Sequence, residues 1–269
     1  MSPEAIAREM RSAQDAATQI APFTSRLAGF DLPAAYEVAR LIHEERVLAG
    51  AVPVGRKIGF TNPGIWEEYG VRQPVWAHVY EATVVVPFKA GTQVRIGVFT
   101  EPKIEPEIVL HFRSAPPLTG EIAAILDCID WVAHGFEIVQ SHFPGWNFQA
   151  ADTVADAALH GALLVGEPQD TGKLGADLAG KLERFTIALS CNGALRERGQ
   201  GANVLGSPLA ALAHLIAVLA TQPLAAPIRA GELVTTGTLT RALPIRGGET
   251  WSTAIDGIAL PGMRVEFEA

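Results

Sequence analysis

The sequence predicts an α+β protein in which a small helical N-terminal region precedes a larger β-rich domain. Two helix-start signals and their apolar stripes fall within the first 50 residues. From Val52 onwards, short strand-like runs recur between turns, at the spacing usual for a β-rich domain. We therefore expect a helical region over residues 1–52 and a β domain over residues 53–269.

Composition and charge narrow the class of protein. Of 269 residues, 48% are hydrophobic and 19% are charged, which is typical of an ordinary globular chain. The net charge is −8, and no basic run or zinc-finger spacing indicates a nucleic-acid partner. The longest apolar run, residues 209–220, is too short to cross a bilayer, and no apolar signal core opens the chain. Two distant cysteines suit a reducing compartment. We expect a cytoplasmic protein with no membrane or nucleic-acid partner.

Both N-terminal helices are marked by capping residues. Ser2 and Pro3 start the first helix, which we expect to reach about Ile20. Asp31 and Pro33 start the second, which we expect to end at Leu48.

Further elements follow from apolar periodicity and turn residues. We expect strands over residues 54–62, 78–86, 93–99, 101–112, 136–141, 161–166, 185–191, 232–236 and 257–267. We expect a helix over residues 121–134, capped by Gly135, and another over residues 208–220. Residues 142–156 are expected to form a long functional loop, and Asn192-Gly193 a hairpin turn.

The strand over residues 101–112 carries the first chemical signal. Side chains alternate along a strand, so its residues divide between an apolar core face and a second face. The core face has Ile104, Ile108, Leu110 and Phe112, and the second has Glu105, Glu107, Val109 and His111. Two rigidly held carboxylates a few Å apart suit a hard divalent cation. On spacing alone, a solvated face with two unrelated glutamates is an equal alternative.

Two more residues could join this pair. Glu137 interrupts an apolar strand and needs a partner if buried, which a shared metal or an arginine would provide. Lys57 lies on a short strand bracketed by Gly55 and Gly59, where it could reach a ligand. An exposed surface lysine is the alternative at this position.

Several segments, taken in order, resemble the fumarylacetoacetate hydrolase superfamily. They are RKIGFT (56–61), IEPEI (104–108), FEIV (136–139), DTVAD (152–156), NG (192–193), VLGSPL (204–209) and GELVTTGT (231–238). The ordered set is similar to the branch of 2-oxopent-4-enoate hydratases and 4-oxalocrotonate decarboxylases. The resemblance implies a mixed β-roll or sandwich after the helical region.

The resemblance also implies a site. Mg²⁺ or Mn²⁺ would be held by Glu105, Glu107 and Glu137, with Lys57 as the catalytic acid and base. Three carboxylates suit such a hard cation better than zinc. Weaker substrate-binding candidates are Arg56, Thr61, Trp76, His78, Asp156, His160 and Thr238. The implied partners are a small 2-oxo or 2-hydroxy acid, further copies of the chain in a homo-oligomer, and a related hydratase or decarboxylase in a complex.

The first functional hypothesis is a lyase that hydrates a small 2-hydroxy-dienoate from aromatic catabolism, through a metal-stabilised enolate. Related hydratases have polar residues where this chain has Val75, Ala157 and Leu159. Because those polar groups could orient the added water, their absence makes decarboxylation of a 2-oxo-enedioate a close second hypothesis. A third reading is acylpyruvate hydrolysis, with Glu67, Glu68 or His78 as the base. A fourth is a non-catalytic partner subunit.

Overall fold

A computed structural model describes residues 1–63, 66–69, 71–86, 88–89, 91–223 and 225–269, the side chains of Glu68 and Tyr69 apart. The chain begins with helices α1 (Pro3–Ala16) and α2 (Leu32–Leu48). Their predicted caps are present, since the Ser2 hydroxyl accepts a hydrogen bond from the Ala5 amide and the Asp31 carboxylate accepts one from the Ala34 amide. Helix α1 ends before Ile20 because Ala17 takes a left-handed conformation.

The rest of the chain contains five α-helices and fourteen strands among the described residues. The helices are α3 (Trp66–Tyr69), α4 (Ile122–Leu126), α5 (Ala150–Ala155), α6 (Leu178–Arg184) and α7 (Pro208–Thr221). The strands are β1 (Pro53–Gly59), β2 (Val75–Tyr80), β3 (Val84–Val85), β4 (Gln93–Arg95), β5 (Lys103–Phe112), β6 (Ile129–Val139), β7 (His160–Val165), β8 (Gln169–Asp170), β9 (Thr186–Cys191), β10 (Ala194–Gln200), β11 (Leu233–Thr235), β12 (Leu243–Pro244), β13 (Thr250–Asp256) and β14 (Arg264–Glu268).

The strands form two mixed sheets. The larger has the order β2-β1-β11-β5-β6-β7-β3, with β12 also paired to β5 and β8 to β6, and the smaller has the order β10-β9-β13-β14-β4. Apolar side chains of both sheets share one core, in which Ile104 and Phe136 of the larger sheet meet Trp251 and Val265 of the smaller. The predicted α+β class, with helices at the N-terminus and curled sheets after them, is confirmed.

The predicted helix over residues 121–134 is wrong. Only Ile122–Leu126 is helical, and β6 begins at Ile129. Strand β6 pairs with β5 along one edge and with β7 along the other, and from Val132 to Val139 its side chains are buried on both faces. A strand without a polar face loses its two-residue alternation, and its apolar residues then imitate helical spacing. Gly135 is not a cap but lies within β6, where a Cβ would stand 3.0 Å from Val109.

Smaller differences concern the ends of elements. The region predicted as a loop over residues 142–156 contains α5. Of the strand predicted over residues 257–267, only the part from Arg264 is a strand, in β14, and β13 ends before it at Asp256. The hairpin turn at Asn192-Gly193 is confirmed, with φ values of 50° and 77°. It leads into β10, which the sequence did not predict.

Helix α7 is the most apolar element. With the turn before it, the segment Gly201–Thr221 is long and apolar enough to cross a membrane, by length and composition alone. Half of its most apolar window is buried inside the protein. Leu209, Leu212 and Leu215 of α7 pack into the main core, a location that accounts for such a composition in a globular protein.

The N-terminal helices share a core with the segment around α5. Met10, Phe23 and Val38 pack with Phe143 and Val154. The fully buried Asp152 carboxylate connects the two regions by accepting hydrogen bonds from the Thr24 amide at 3.0 Å and the Thr24 hydroxyl at 2.5 Å. It also accepts one from the Gln149 amide at 2.9 Å.

This network predicts a large effect of Asp152→Ala on stability. The substitution removes the acceptor of three partly buried hydrogen bonds to a carboxylate, so we expect the free energy of unfolding to fall by about 3 kcal/mol. Urea unfolding followed by circular dichroism measures the change. Asp256→Ala, at an exposed position, is the control and is expected to shift stability by less than about 0.5 kcal/mol. An equal effect of the two variants would contradict the structural role of Asp152.

Candidate metal and substrate site

Three carboxylates converge on one face of the larger sheet. In the antiparallel pairing of β5 with β6, Glu105 stands opposite Glu137, and Glu107 stands opposite Gly135. One oxygen from each glutamate lies within 4.8 Å of the others. Glu107 and Glu137 are fully buried and Glu105 is half-buried. The sheet register therefore gathers residues that are distant in the sequence.

Neighbouring groups fix one oxygen of each buried carboxylate. Oε2 of Glu107 accepts hydrogen bonds from the Thr235 hydroxyl and, at 2.9 Å, from the Gly237 amide. Oε1 of Glu137 lies 2.7 Å from Nδ1 of His160. Among the described residues, Oε1 of Glu107 and Oε2 of Glu137 have no hydrogen-bond partner, although the latter forms an ion pair with Lys57 at 3.1 Å. A hard cation would satisfy both of these oxygens.

The glycine at position 237 makes this contact possible. Its φ of 96° is unfavourable for other residues, and a Cβ there would lie 2.0 Å from the Thr61 hydroxyl oxygen. Only glycine therefore lets the backbone amide approach Glu107 alongside Thr61.

Burial and mutual repulsion perturb the carboxylates strongly. Burial raises the pKa of Glu105 to about 7, against the attraction of Lys57. Burial, with repulsion from Glu137 and Glu105, raises the pKa of Glu107 well above its ordinary value. Burial alone would also raise the pKa of Glu137, but Lys57 and His160 outweigh it and lower that pKa to about 2. Three ionised carboxylates need more positive charge than one lysine supplies, and the donor set fits Mg²⁺ or Mn²⁺.

Lys57 is held at the edge of this cluster. Its side chain is buried, and Nζ donates a hydrogen bond to the Ala158 carbonyl at 2.8 Å in addition to the ion pair with Glu137. Burial alone would lower the pKa of Lys57, but the carboxylates, Glu137 above all, raise it. Lysine carries three N–H donors, so one remains after these two contacts. Lys57 is an ammonium ion with a proton available to a ligand.

A cavity of about 760 Å³ opens beside Lys57 and Glu105, the one carboxylate of the cluster that lines it. Its walls include Lys57, Glu105, Thr61 and Thr238, all identified from the sequence. Val75 and Leu159 add apolar surface. The cavity has the size of a small-molecule site.

The structure does not bring Arg56, Trp76 and His78 to this cavity. In the pairing of β1 with β2, Arg56 stands opposite His78, and consecutive residues face opposite sides of the sheet, so Lys57 and Arg56 diverge. Arg56 forms an ion pair with Glu232 at 3.1 Å and lies over the Trp76 ring. Trp76 and His78 border a separate cavity of about 650 Å³ beside α2. The expectation that these three bind substrate beside Lys57 is therefore corrected.

Asp156 and His160 also lie outside the cavity wall. Asp156 is buried against His142, with Nδ1 of the histidine at 2.8 Å, and accepts a hydrogen bond from Gln14 of α1. His160 stands behind Glu137, and its Nε2 lies 2.8 Å from the Thr83 hydroxyl. Its position suits orientation of Glu137 rather than contact with substrate. The sequence did not distinguish these roles.

Of the bases considered for hydrolysis, none reaches the cavity wall in the described part of the chain. His78 faces the other side of the sheet, Glu67 is exposed and outside the wall, and the Glu68 side chain lies outside the described residues.

Sequence reasoning missed residues that shape the site. Thr235 and Gly237 hold Glu107, but only the pairing of β11 with β5 reveals it. Lys103 and Trp146 line the cavity, and burial lowers the pKa of Lys103 against the attraction of Glu105. Lys103 could have been found, because it precedes Glu105 by two residues and shares its strand face.

A curled mixed sheet with a three-carboxylate cluster, a buried lysine and a small-molecule cavity defines a class of protein, the enzymes that act on small molecules. The chain belongs to the fumarylacetoacetate hydrolase family, because residues 68–265 match the model described as "Fumarylacetoacetate (FAA) hydrolase C-terminal".

Similar proteins support this assignment along almost the whole chain. The chain is 30% identical over 256 residues to a 2-keto-4-pentenoate hydratase of Burkholderia vietnamiensis (strain G4 / LMG 22486), covering 94% of this chain and 93% of the relative. It is 28% identical over 263 residues to a 2-hydroxyhexa-2,4-dienoate hydratase of Comamonas testosteroni, covering 95% and 94%. The structure of 4-oxalocrotonate decarboxylase from Pseudomonas putida G7, complexed with magnesium and adipate, has a TM-score of 0.89 and 25% identity, covering 99% of this chain and 98% of that one.

Metal binding should stabilise the protein through this cluster. We expect saturating Mg²⁺ or Mn²⁺ to raise the melting temperature. At a metal concentration one hundred times Kd, binding adds about 2.7 kcal/mol to the free energy of unfolding. Glu107→Gln should abolish that shift and, because it removes like-charge repulsion, should not lower the melting temperature of the metal-free protein. Differential scanning calorimetry measures both, with the exposed Glu183→Gln as control. A full metal shift in Glu107→Gln would exclude this site.

Metal affinity should rise with pH. The pKa values of Glu105 and Glu107 are raised in the folded protein, so the fold holds protons that an unfolded chain releases, and a cation must displace them. Between about pH 5 and 7 we expect Kd for Mn²⁺ to fall by up to about tenfold per pH unit for each proton released. Isothermal titration calorimetry in buffers of different ionisation enthalpy counts the protons. Proton-independent binding would contradict the raised pKa values.

Proposed function

We propose that this chain is a metal-dependent hydratase, a lyase that adds water to a small 2-hydroxy-dienoate or its 2-oxo tautomer from aromatic catabolism. The observation that carries the proposal is the meeting of three carboxylates and a buried lysine beside one cavity. The names of the similar proteins, 2-keto-4-pentenoate hydratase and 2-hydroxyhexa-2,4-dienoate hydratase, support the substrate class.

Glu105, Glu107 and Glu137 are the proposed ligands to Mg²⁺ or Mn²⁺, and the two buried oxygens without a hydrogen-bond partner among the described residues support this choice. A bound cation of this kind supplies Lewis-acid stabilisation to the negative charge that develops on a 2-oxo acid. His160 orients Glu137, while Thr235 and Gly237 orient Glu107. These second contacts fix each carboxylate before a ligand arrives.

Lys57 is the proposed acid and base. The carboxylates hold it as an ammonium ion, so it begins as a proton donor towards the carbon chain of the substrate. The resulting amine then recovers a proton from the water that adds, and the lysine returns to its starting state. The Ala158 carbonyl fixes its direction throughout. Thr61 and Thr238, on the cavity wall, are the proposed substrate-binding residues.

Decarboxylation of a 2-oxo-enedioate is the second candidate. Val75 and Leu159 place apolar groups on the cavity wall that Lys57 shares, where an added water would need a polar partner to orient it. Loss of CO₂ requires no added water, only an electron sink and one proton donor. The similarity to 4-oxalocrotonate decarboxylase supports this candidate. A non-catalytic partner role is disfavoured, because the repulsion within the cluster destabilises a chain that binds no cation.

The remaining parts of the proposal rest on the family resemblance and composition. We propose a cytoplasmic homo-oligomer, able to form a complex with a related hydratase or decarboxylase. The helical region over residues 1–52 and the catalytic β-roll over residues 53–269 are its proposed units.

Turnover of two substrates separates the candidates. With Mn²⁺, we expect 2-hydroxypenta-2,4-dienoate to lose its dienol absorbance without CO₂ release if the chain is a hydratase, and 4-oxalocrotonate to release CO₂ if it is a decarboxylase. Lys57→Met should lower kcat about a thousandfold while the thermal shift caused by Mn²⁺ persists. Lys173→Met, at an exposed position, is the matched control. Full activity in Lys57→Met would exclude the proposed role, and inactivity on both substrates with metal bound would favour the partner role.

A further inference from the structure

Lys103 lies on the same strand face as the carboxylate cluster. It precedes Glu105 by two residues on β5, which places its Cα about 7 Å further along the strand, on the side away from Glu107. Its side chain is half-buried and lines the cavity that contains Lys57 and Glu105. The cavity therefore has an amine beyond its acidic end that the proposed chemistry does not use.

An aromatic platform holds this amine in position. Nζ of Lys103 lies 3.6 Å from the centroid of the Trp146 ring, a cation–π contact. Trp146 is fixed in turn, because its indole N–H donates to the Glu101 carbonyl at 3.0 Å and the Gly145 amide donates to the Glu101 carboxylate at 3.0 Å. Lysine alone is flexible, and this support reduces the entropy lost when Lys103 binds a ligand.

Lys103 forms no close ion pair. Among the residues that the structure describes, no carboxylate lies within ion-pair distance of its Nζ, although Glu105 and Glu101 attract it from further away. Arg198 adds positive charge at the exposed rim of the same cavity, whereas Arg241 is paired with Glu197. A half-buried ammonium ion facing a cavity is well suited to an anionic ligand group.

We propose that Lys103 binds a second carboxylate at the far end of the substrate, so that the preferred substrates are 2-oxo or 2-hydroxy diacids. This inference rests on the proposed function, which places the 2-oxo acid end at the carboxylate cluster. Lys103 and Glu105 line the same cavity, and their Cα atoms are about 7 Å apart along the strand, which is on the order of the length of an extended six-carbon diacid. Lys103 is then a specificity-determining residue, whichever of hydration and decarboxylation occurs.

Paired ligands of equal carbon number test the proposal. 2-Oxoadipate and 2-oxohexanoate share the 2-oxo acid end, and differ in whether the far end is a carboxylate or a methyl group. In the presence of Mn²⁺ we expect the full-length protein to bind 2-oxoadipate at least about tenfold more tightly by isothermal titration calorimetry. Lys103→Met, of similar length, should reduce that ratio to about one while leaving the affinity for 2-oxohexanoate unchanged, and Lys103→Arg should keep most of the ratio.

The other possible outcomes contradict either the role of Lys103 or the proposed function. Equal affinities in the unmodified protein, or an unchanged ratio in Lys103→Met, would show that Lys103 serves only to pack on Trp146. If Arg198→Met abolishes the affinity ratio and Lys103→Met keeps it, then Arg198, and not Lys103, binds the second carboxylate. Lys173→Met, at an exposed position, is the control and must leave the affinity ratio unchanged. A lower ratio in this variant would mean that the net charge of the protein, and not Lys103, causes the preference for the diacid. Failure of both acids to bind with Mn²⁺ bound would instead overturn the proposed function, and this inference with it.

Discussion

The pairing of β5 with β6 is the constraint on which the rest of the site depends. Its register places Glu105 directly across from Glu137 in the middle of a buried sheet, with Glu107 two pairs further along on the same face. Carboxylates at that spacing repel one another, and burial increases the cost. Burial of the apolar side chains of these long central strands stabilises this register. The fold therefore holds the three carboxylates close together despite their mutual repulsion.

The surrounding residues follow from that constraint. Lys57, His160, Thr235 and the Gly237 amide each contact one of the two fully buried carboxylates, and they come from strands or turns on both sides of the central pair. Each contact removes one orientation that the carboxylates could otherwise take. One oxygen from each of these two carboxylates, and one from Glu105, lie within 4.8 Å of one another. Preorganisation of this kind is what a catalytic site for charged intermediates requires.

How much of this was accessible from the sequence depends on whether the information is local. Strand alternation is local, and it correctly separated the core face of β5 from the face that bears Glu105 and Glu107. The signals that start helices at Ser2 and Asp31, and the turn signal at Asn192, are equally local. The β6 error arose because a strand buried on both faces has no polar alternation, and only its neighbours in the sheet distinguish it from a helix. Alternation along β1 already separates Arg56 from Lys57, but only the three-dimensional structure shows that the cavity lies on the face of Lys57.

The helices that open the chain look like an appendage in the sequence, yet their packing makes them part of the machinery. They share a core with Phe143 and Val154, just before the tight turn whose Ala158 carbonyl holds the amine of Lys57. Shortening the protein from its N-terminus would therefore loosen the proposed catalytic lysine without altering any of the proposed metal ligands. On the proposed function, such a fragment would keep its affinity for a divalent ion and lose its activity, so ion binding by itself would be an unsafe criterion of an intact enzyme.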